Sequence, residues 1–207
     1  MSGIGRCVTL CKEKAMTRLA IVLTDGFADW EVAQLTASAR SYFAFEIVIA
    51  TPEGEEVRSM GGMRVAADAV AENLHASAFD GLVLCGGTIW ETERAPDLRT
   101  VIYDFLAHGK LVAGICGATL ALARAGVLDA IDHTSNAADF IAGAPGYAGH
   151  ARYKDSPQAV RDGKLVTAPG SAPMTFAAEI YRALGHGGDE LDQYVLMFGA
   201  EHQPKAA

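Results

Sequence analysis

Residues Lys110–Gly126 read KLVAGICGATLALARAG, and this stretch decides the fold. Leu111-Val112-Ala113-Gly114-Ile115 is an apolar run too short for most helices and suited to a buried strand. At Cys116 the pattern changes. Gly117-Ala118-Thr119 opens a segment with Leu120, Leu122 and Ala123 at helical spacing, and Gly126 stands where a C-terminal cap belongs. A strand that turns directly into a helix pushes the junction residue out of the backbone, and small neighbours such as Gly114 and Gly117 permit that crowding. This is the logic of a nucleophile elbow with Cys in place of Ser. A helix N-terminus behind the sulfur is expected to favour the thiolate, the reactive form. The competing reading is an inert cysteine, because free Cys is often buried.

Working outward, Arg18–Thr24 reads as a first buried strand, and Asp25-Gly26-Phe27 turns the chain. Residues 28–43 read as an amphipathic helix with Trp30, Val32, Leu35 and Ala39 on its inner side. Residues 45–50 (FEIVIA) and 81–85 (GLVLC) are further strands, the latter followed at once by Gly86-Gly87. Met60-Gly61-Gly62-Met63 leads into a short extended piece near residues 64–67, and a short helix is expected at 75–79. Pro96–His108 carries a helix start and the apolar spacing Leu98, Val101, Ile102, Phe105. Ser135 or Asn136 reads as the cap of a helix to about Ala142. Asp162-Gly163 between extended segments signals a hairpin, and helices are expected at 174–184 and 191–198.

Strands alternating with helices imply an α/β fold: a mostly parallel central sheet covered on both faces, with ligands beyond the carboxyl ends of the strands. At those ends lie the segment from Asp25 through Glu31, Gly86-Gly87, and Cys116. Their coincidence favours a functional Cys116.

The chain has 207 residues, enough for one sizeable domain. Half its residues are hydrophobic and a fifth charged, so a packed core is expected. A net charge of −8 argues against nucleic acid as a partner. No apolar run approaches the length of a membrane span. Residues 1–16 read as an N-terminal extension without a signal-peptide pattern, and residues 17–207 as the domain. Cys7, Cys11, Cys85 and Cys116 form no disulfide framework, which suits a reduced cytoplasm. Cys7 and Cys11 lack the second ligand pair of a zinc site, so no metal and no cofactor is expected.

Three further groups could serve a Cys116 nucleophile. Glu31, in the first turns of its helix, is either a solvated acidic residue that suits the helix dipole or a proton carrier beside the sulfur. Gly86-Gly87 is either a turn or, through the Gly87 amide together with that of Gly117, an oxyanion hole. His133 is the best placed of the six histidines to be a base, although a lone His is more often structural.

The segments Asp25-Gly26-Phe27-Ala28-Asp29-Trp30-Glu31, Cys85-Gly86-Gly87 and Ala113-Gly114-Ile115-Cys116-Gly117-Ala118 together resemble the ThiJ/PfpI superfamily, which is similar to the class I glutamine amidotransferases. The resemblance runs from Thr17 to about Leu184. It implies a flavodoxin-like three-layer sandwich, a homodimer and a small-molecule substrate. It also implies Cys116 as the reactive cysteine, Glu31 as the site carboxylate, Gly87 and Gly117 as amide donors, and His133 as the histidine some members place after the nucleophile helix. Two positions depart from the pattern. Gly117 stands where many protease-like members have His, and Pro169-Gly170-Ser171 stands where the amidotransferases place their late catalytic His and Glu. The function expected is a cysteine-dependent hydrolase or lyase acting on a small carbonyl, amide or glyoxal-derived compound. The alternatives are a redox sensor using the same cysteine and a glutaminase-like subunit.

Overall fold

The computed structural model describes residues 16–200. The expectations for residues 1–15, including Cys7 and Cys11, lie outside the described residues. In chain order the main elements begin with β1 (Arg18–Val22), α1 (Asp29–Ser41), β2 (Glu46–Thr51), β3 (Val57–Arg58), β4 (Arg64–Val65) and β5 (Ala69–Val70). They continue with β6 (Gly81–Leu84), α2 (Arg99–Ala107), β7 (Leu111–Ile115), α3 (Thr119–Arg124) and α4 (Ala138–Ala142). The hairpin strands β8 (Val160–Asp162) and β9 (Leu165–Ala168) then lead to α5 (Pro173–Ala183) and α6 (Asp189–Gly199).

Seven strands form one sheet in the order β5-β2-β1-β6-β7-β9-β8, and β3 and β4 pair separately. Every neighbouring pair in the large sheet is parallel except β8 with β9. Alternation along the strands sorts side chains into two cores. From β1, Leu19 and Ile21 enter one core and Ala20 and Val22 the other. The first core is closed by Val32, Leu35 and Ala39 of α1 and by Phe176, Ile180 and Tyr181 of α5. The second is closed by Val101, Ile102 and Phe105 of α2 and by Leu120 and Leu122 of α3. The result is the three-layer, flavodoxin-like sandwich. Ser38 and Tyr181 join α1 to α5 inside the first core with a 2.5 Å hydroxyl contact.

Two local expectations change. Helical spacing assigns Trp30 to the inner side of α1, yet the residue is 52% exposed, and the buried face carries Glu31, Val32, Leu35, Ser38 and Ala39. The tryptophan instead reaches across to the loop after β9. The α4 cap expected at Ser135 or Asn136 falls at Ala137, with no side-chain cap. Both polar side chains are engaged elsewhere. The Asp162-Gly163 hairpin is present, with Asp162 paired to Leu165 and Gly163 at φ +57°.

Candidate active site

The parallel register places Leu84 of β6 beside Gly114 of β7, so both chains leave the sheet together. β6 continues into Cys85-Gly86-Gly87, and β7 continues into Cys116. Cys116 has φ +56°, a left-handed conformation that costs a non-glycine residue about 1–3 kcal/mol. The strain lifts the side chain off the strand at the elbow. Residues Cys116–Ala118 form one 3₁₀ turn before α3 begins. The turn is pinned from below, where Thr119 Oγ1 donates to the Cys116 carbonyl at 2.7 Å.

Small residues let backbone crowd the sulfur. A Cβ on Gly86 would stand 2.3 Å from Glu31 Oε2 and 2.7 Å from Cys116 Cβ, and one on Gly117 would stand 2.6 Å from the Gly87 carbonyl oxygen. Gly87 and Gly117 are therefore packed backbone against backbone at the elbow. Gly170, in the loop after β9, closes the opposite side. A Cβ there would lie 2.9 Å from Cys116 Sγ and 3.0 Å from Glu31 Oε1, so the sulfur and the carboxylate oxygen converge on one point.

Glu31 is fully buried, which removes the solvated reading. Its Oε2 accepts the Gly86 amide at 2.8 Å, while Oε1 has no hydrogen-bond partner apart from the adjoining thiol. Cys85 lies behind the carboxylate, with its thiol 3.6 Å from the Ala28 carbonyl and 4.0 Å from Glu31 Oε2. Burial drives the Cys85 thiol well above its ordinary range, so it stays protonated.

Burial also dominates the reactive pair. It lifts the Glu31 carboxyl to about 7, against the lowering effects of its hydrogen bonds with Cys116 and the Gly86 amide. The Cys116 thiol is pushed up to about 11, first by burial and then by the charge and hydrogen bond of Glu31, with Asn136 and the Gly117 amide pulling it down. The depressed thiolate expected from a helix N-terminus is thus corrected. The helix behind the sulfur has only six residues and starts from a 3₁₀ turn, and a buried acid stands beside the sulfur. Two contacting acids ionise as a pair. After the first proton leaves near neutrality, one proton and one negative charge remain. Donors at both ends, Gly86 to the carboxylate and Asn136 and Gly117 to the sulfur, support either position of that charge.

His133 is the second correction. Its ring is buried, with Nδ1 2.8 Å from the Ile131 carbonyl and Nε2 2.7 Å from the Tyr147 hydroxyl. Both nitrogens are committed, burial lowers its pKa, and no described hydrogen bond joins it to Cys116. Three residues later, Asn136 occupies the place expected for a base. Its Nδ2 donates to Cys116 Sγ at 3.3 Å, and its Oδ1 accepts the Gly170 amide at 2.9 Å. Trp30 Nε1 donates to the Gly170 carbonyl at 3.0 Å. Both ends of this glycine are therefore held, one by each wall of the site. A surface cavity of about 600 Å³, bordered by Glu91, Asp97, Arg99 and Arg124, shares no residue with this arrangement. Among the described residues no cluster of three or more His, Cys, Asp or Glu is placed to hold a metal, and no helix is long and apolar enough to cross a membrane.

The arrangement belongs with known proteins. The sequence model of the DJ-1/PfpI family matches residues 17–183. The chain is 34% identical over 165 residues to the "Uncharacterized protease YoaZ" of Bacillus subtilis, covering 76% of this chain and 78% of that one. It is 31% identical over 163 residues to the "Uncharacterized protease YdeA" of the same organism, covering 78% and 80%. Its fold superposes with a TM-score of 0.88 on a DJ-1 superfamily protein of Agrobacterium tumefaciens, 48% identical, over 91% of this chain and all of that one. A thiJ/pfpI family protein of Bacillus anthracis gives 0.81 at 32% identity, over 93% and 95%. With its elbow cysteine, buried carboxylate and parallel sheet, this chain belongs to the DJ-1/PfpI family.

Proposed function

We propose that this protein is a cysteine-dependent enzyme that adds the Cys116 thiolate to a small carbonyl compound, with Glu31 as the proton carrier. The observation that carries the reading is the buried Glu31 carboxyl converging with Cys116 Sγ on one point, in a site where the sulfur meets an amide rather than an imidazole. In the step proposed, sulfur forms a bond to the carbonyl carbon and the C=O pair moves onto oxygen. The protonated Glu31 then delivers its proton to that oxygen, leaving a hemithioacetal and a carboxylate. The amides of Gly87 and Gly117 support the transient oxyanion. With a glyoxal-type substrate, the Glu31 carboxylate then takes the proton from the adduct carbon to give an enediol and returns it to the neighbouring carbon, while the hydroxyl proton on the adduct carbon's oxygen passes to the neighbouring oxygen. The thioester so formed gives a 2-hydroxy acid on uptake of one water.

The relatives' protease names make amide hydrolysis the competing outcome. It requires protonation of a leaving amine, and Glu31 is the one acid beside the sulfur. A screen of small aldehydes, glyoxals, glutamine, small amides and a casein-type peptide, with Cys116→Ala as blank, separates these. Cys116-dependent loss of aldehyde supports the proposal, and Cys116-dependent turnover of amides alone rejects it.

A redox role for the same cysteine draws on Glu31 Oε1, which has no partner but the Cys116 thiol and would accept the hydroxyl of a Cys116 sulfenic acid. Mass spectrometry after peroxide treatment tests it: failure of Cys116 to gain oxygen ahead of Cys85 would reject that role. The protein is further proposed to act in a reduced cytoplasm, where Cys85 and Cys116 stay as free thiols, and as a homodimer. Trp30, Met60 and Met63 offer an exposed apolar surface where the β3–β4 turn is tied to α1 through the Gly61 amide and Asp29.

A further inference from the structure

We propose that Asn136 is a catalytic residue of this site, an oriented and non-titrating donor that holds charge on the Cys116 sulfur. The inference deepens the carbonyl-addition reading and rests on it for its catalytic meaning, although its test requires no substrate.

An asparagine amide can present either its oxygen or its NH₂ to a neighbour. Here the neighbour on the other side decides. The Gly170 amide is a donor and lies 2.9 Å from Oδ1, so that atom must be the acceptor. Nδ2 is then forced toward Cys116 Sγ at 3.3 Å, where it can only donate. A donor aimed at sulfur favours thiolate over thiol. Gly170 is itself fixed by Trp30 from above.

The segment that carries Asn136 is held at each preceding residue. The His133 amide donates to Arg152 and its carbonyl accepts from Lys154, while its ring is bound by Tyr147. The Thr134 amide donates to Thr167 Oγ1 at 2.8 Å. Ser135 Oγ lies 2.6 Å from Thr119 Oγ1, whose own proton goes to the Cys116 carbonyl, so Ser135 is the donor in that pair. Residues 133–135 thus peg the loop to the elbow, to β9 and to the segment at 152–154. Asn136, exposed and not bonded as a helix cap, is what this framework delivers to the sulfur.

The consequence is chemical. An imidazole in this place would add a group that titrates near neutrality, whereas the amide adds none. The titratable group facing the sulfur is Glu31; Cys85, behind that carboxylate, remains protonated.

Asn136→Asp separates chemistry from architecture, because it keeps an oxygen for the Gly170 amide and removes the donor to sulfur. The rate of Cys116 alkylation by iodoacetamide is followed against pH by peptide mass spectrometry, with thermal melting run alongside. A hydrogen bond to a charged group is lost in Asn136→Ala, so its alkylation midpoint should rise by about one pH unit. In Asn136→Asp it should rise further, because a second carboxylate adjoins the sulfur, while the melting temperature holds near that of wild type. Coincident profiles for wild type and Asp would overturn the inference and leave Asn136 a structural link to Gly170. Should Asp not fold, an Ala profile coinciding with wild type overturns it equally. If the substrate screen finds no turnover while the Asp profile still moves, the proposed function falls and the donor role of Asn136 stands.

Discussion

Replacing Glu31 by Gln should move two observables in opposite directions. The carboxylate accepts the Gly86 amide through Oε2 and turns its other oxygen toward Cys116. A glutamine fits the same space only with its oxygen toward Gly86, which places its NH₂ against the sulfur. The substitution therefore removes a negative charge and supplies a donor, and both changes favour thiolate; Glu31 raises the Cys116 pKa by its charge and its hydrogen bond alike. Two unit charges about 4 Å apart interact by about 4 kcal/mol at an effective dielectric near 20, and the half-exposed sulfur reduces that. The Cys116 midpoint should therefore fall by about one to two pH units, which is roughly ten- to a hundredfold faster alkylation at neutral pH. Turnover of an aldehyde should nonetheless drop by about 10²- to 10⁴-fold, because glutamine has no proton to give the alkoxide or to take from the adduct. Alkylation kinetics and steady-state turnover on the same preparation read both. Turnover unchanged in Glu31→Gln would refute the proton-carrier role, even with Cys116 essential. Slower alkylation would refute the proposed coupling of the pair.

The same carboxyl imposes a pH dependence on stability. Its pKa of about 7 in the fold exceeds the ordinary carboxyl value of 4.5, so the folded state binds that proton more tightly; the stabilisation is full below about 4.5 and is lost as pH rises through 7. Urea unfolding at pH 5 and pH 8 should show wild type losing roughly 3 kcal/mol more than Glu31→Gln over that range, and equal losses would contradict the assignment. Gly170→Ala puts a methyl group 2.9 Å from the sulfur and 3.0 Å from Glu31 Oε1; alkylation of Cys116 should fall at least tenfold, with overpacking costing about 1–3 kcal/mol in urea unfolding, and unhindered alkylation would show that the loop yields. His133→Ala empties a buried site and orphans the Tyr147 hydroxyl, costing about 2–4 kcal/mol in urea unfolding. Turnover per folded molecule should stay within a few-fold, and a loss of 10²-fold would restore His133 as a base. Light scattering should give twice 21.8 kDa at micromolar concentration, and the monomer mass would reject the dimer.

The fold was legible because its strands are short apolar runs that turn abruptly into helical spacing, a pattern imposed by burial on both faces. β1, β6 and β7 all follow it, as does the switch at Cys116. Elements that owe their form to pairing were less visible. Residues 57–58 and 64–65 form a two-stranded pair with two residues in each strand; the extended piece near 64–67 was legible after the glycines, but its partner at 57–58 was not. Trp30 escapes the pattern because helical spacing treats every large aromatic as core. The spacing that places Val32 and Leu35 inward puts Glu31 inward with them, and that carboxylate takes the buried place nearest the sheet end. A buried carboxylate is costly in isolation, so sequence reasoning defaults to solvent. What overrides that default is a backbone amide 55 residues away, at Gly86, together with a thiol 85 residues away, and neither has a local signature.

The same limit explains the exchange of His133 for Asn136. Sequence reasoning looks for a base near a nucleophilic cysteine and finds the residue type that most often serves as one. Its two ring nitrogens are claimed by a carbonyl two residues back and a hydroxyl fourteen residues on, so its chemistry is spent within its own segment. Asn136 carried a local meaning, the helix cap, that suited the short helix α4 just beyond it. One signal pointed elsewhere. A cap is a residue whose side chain has nothing better to bond, and Asn136 lies between two sharp glycine-bearing turns, at Cys116-Gly117 and Pro169-Gly170, that the parallel pairing of β7 with β9 brings together. Once Ile115 is set beside Ala168, the residues just past each strand must meet. A polar side chain entering that meeting point bonds both, and an amide, with its donor and acceptor on separate atoms, can donate to sulfur and accept from a backbone N–H at once.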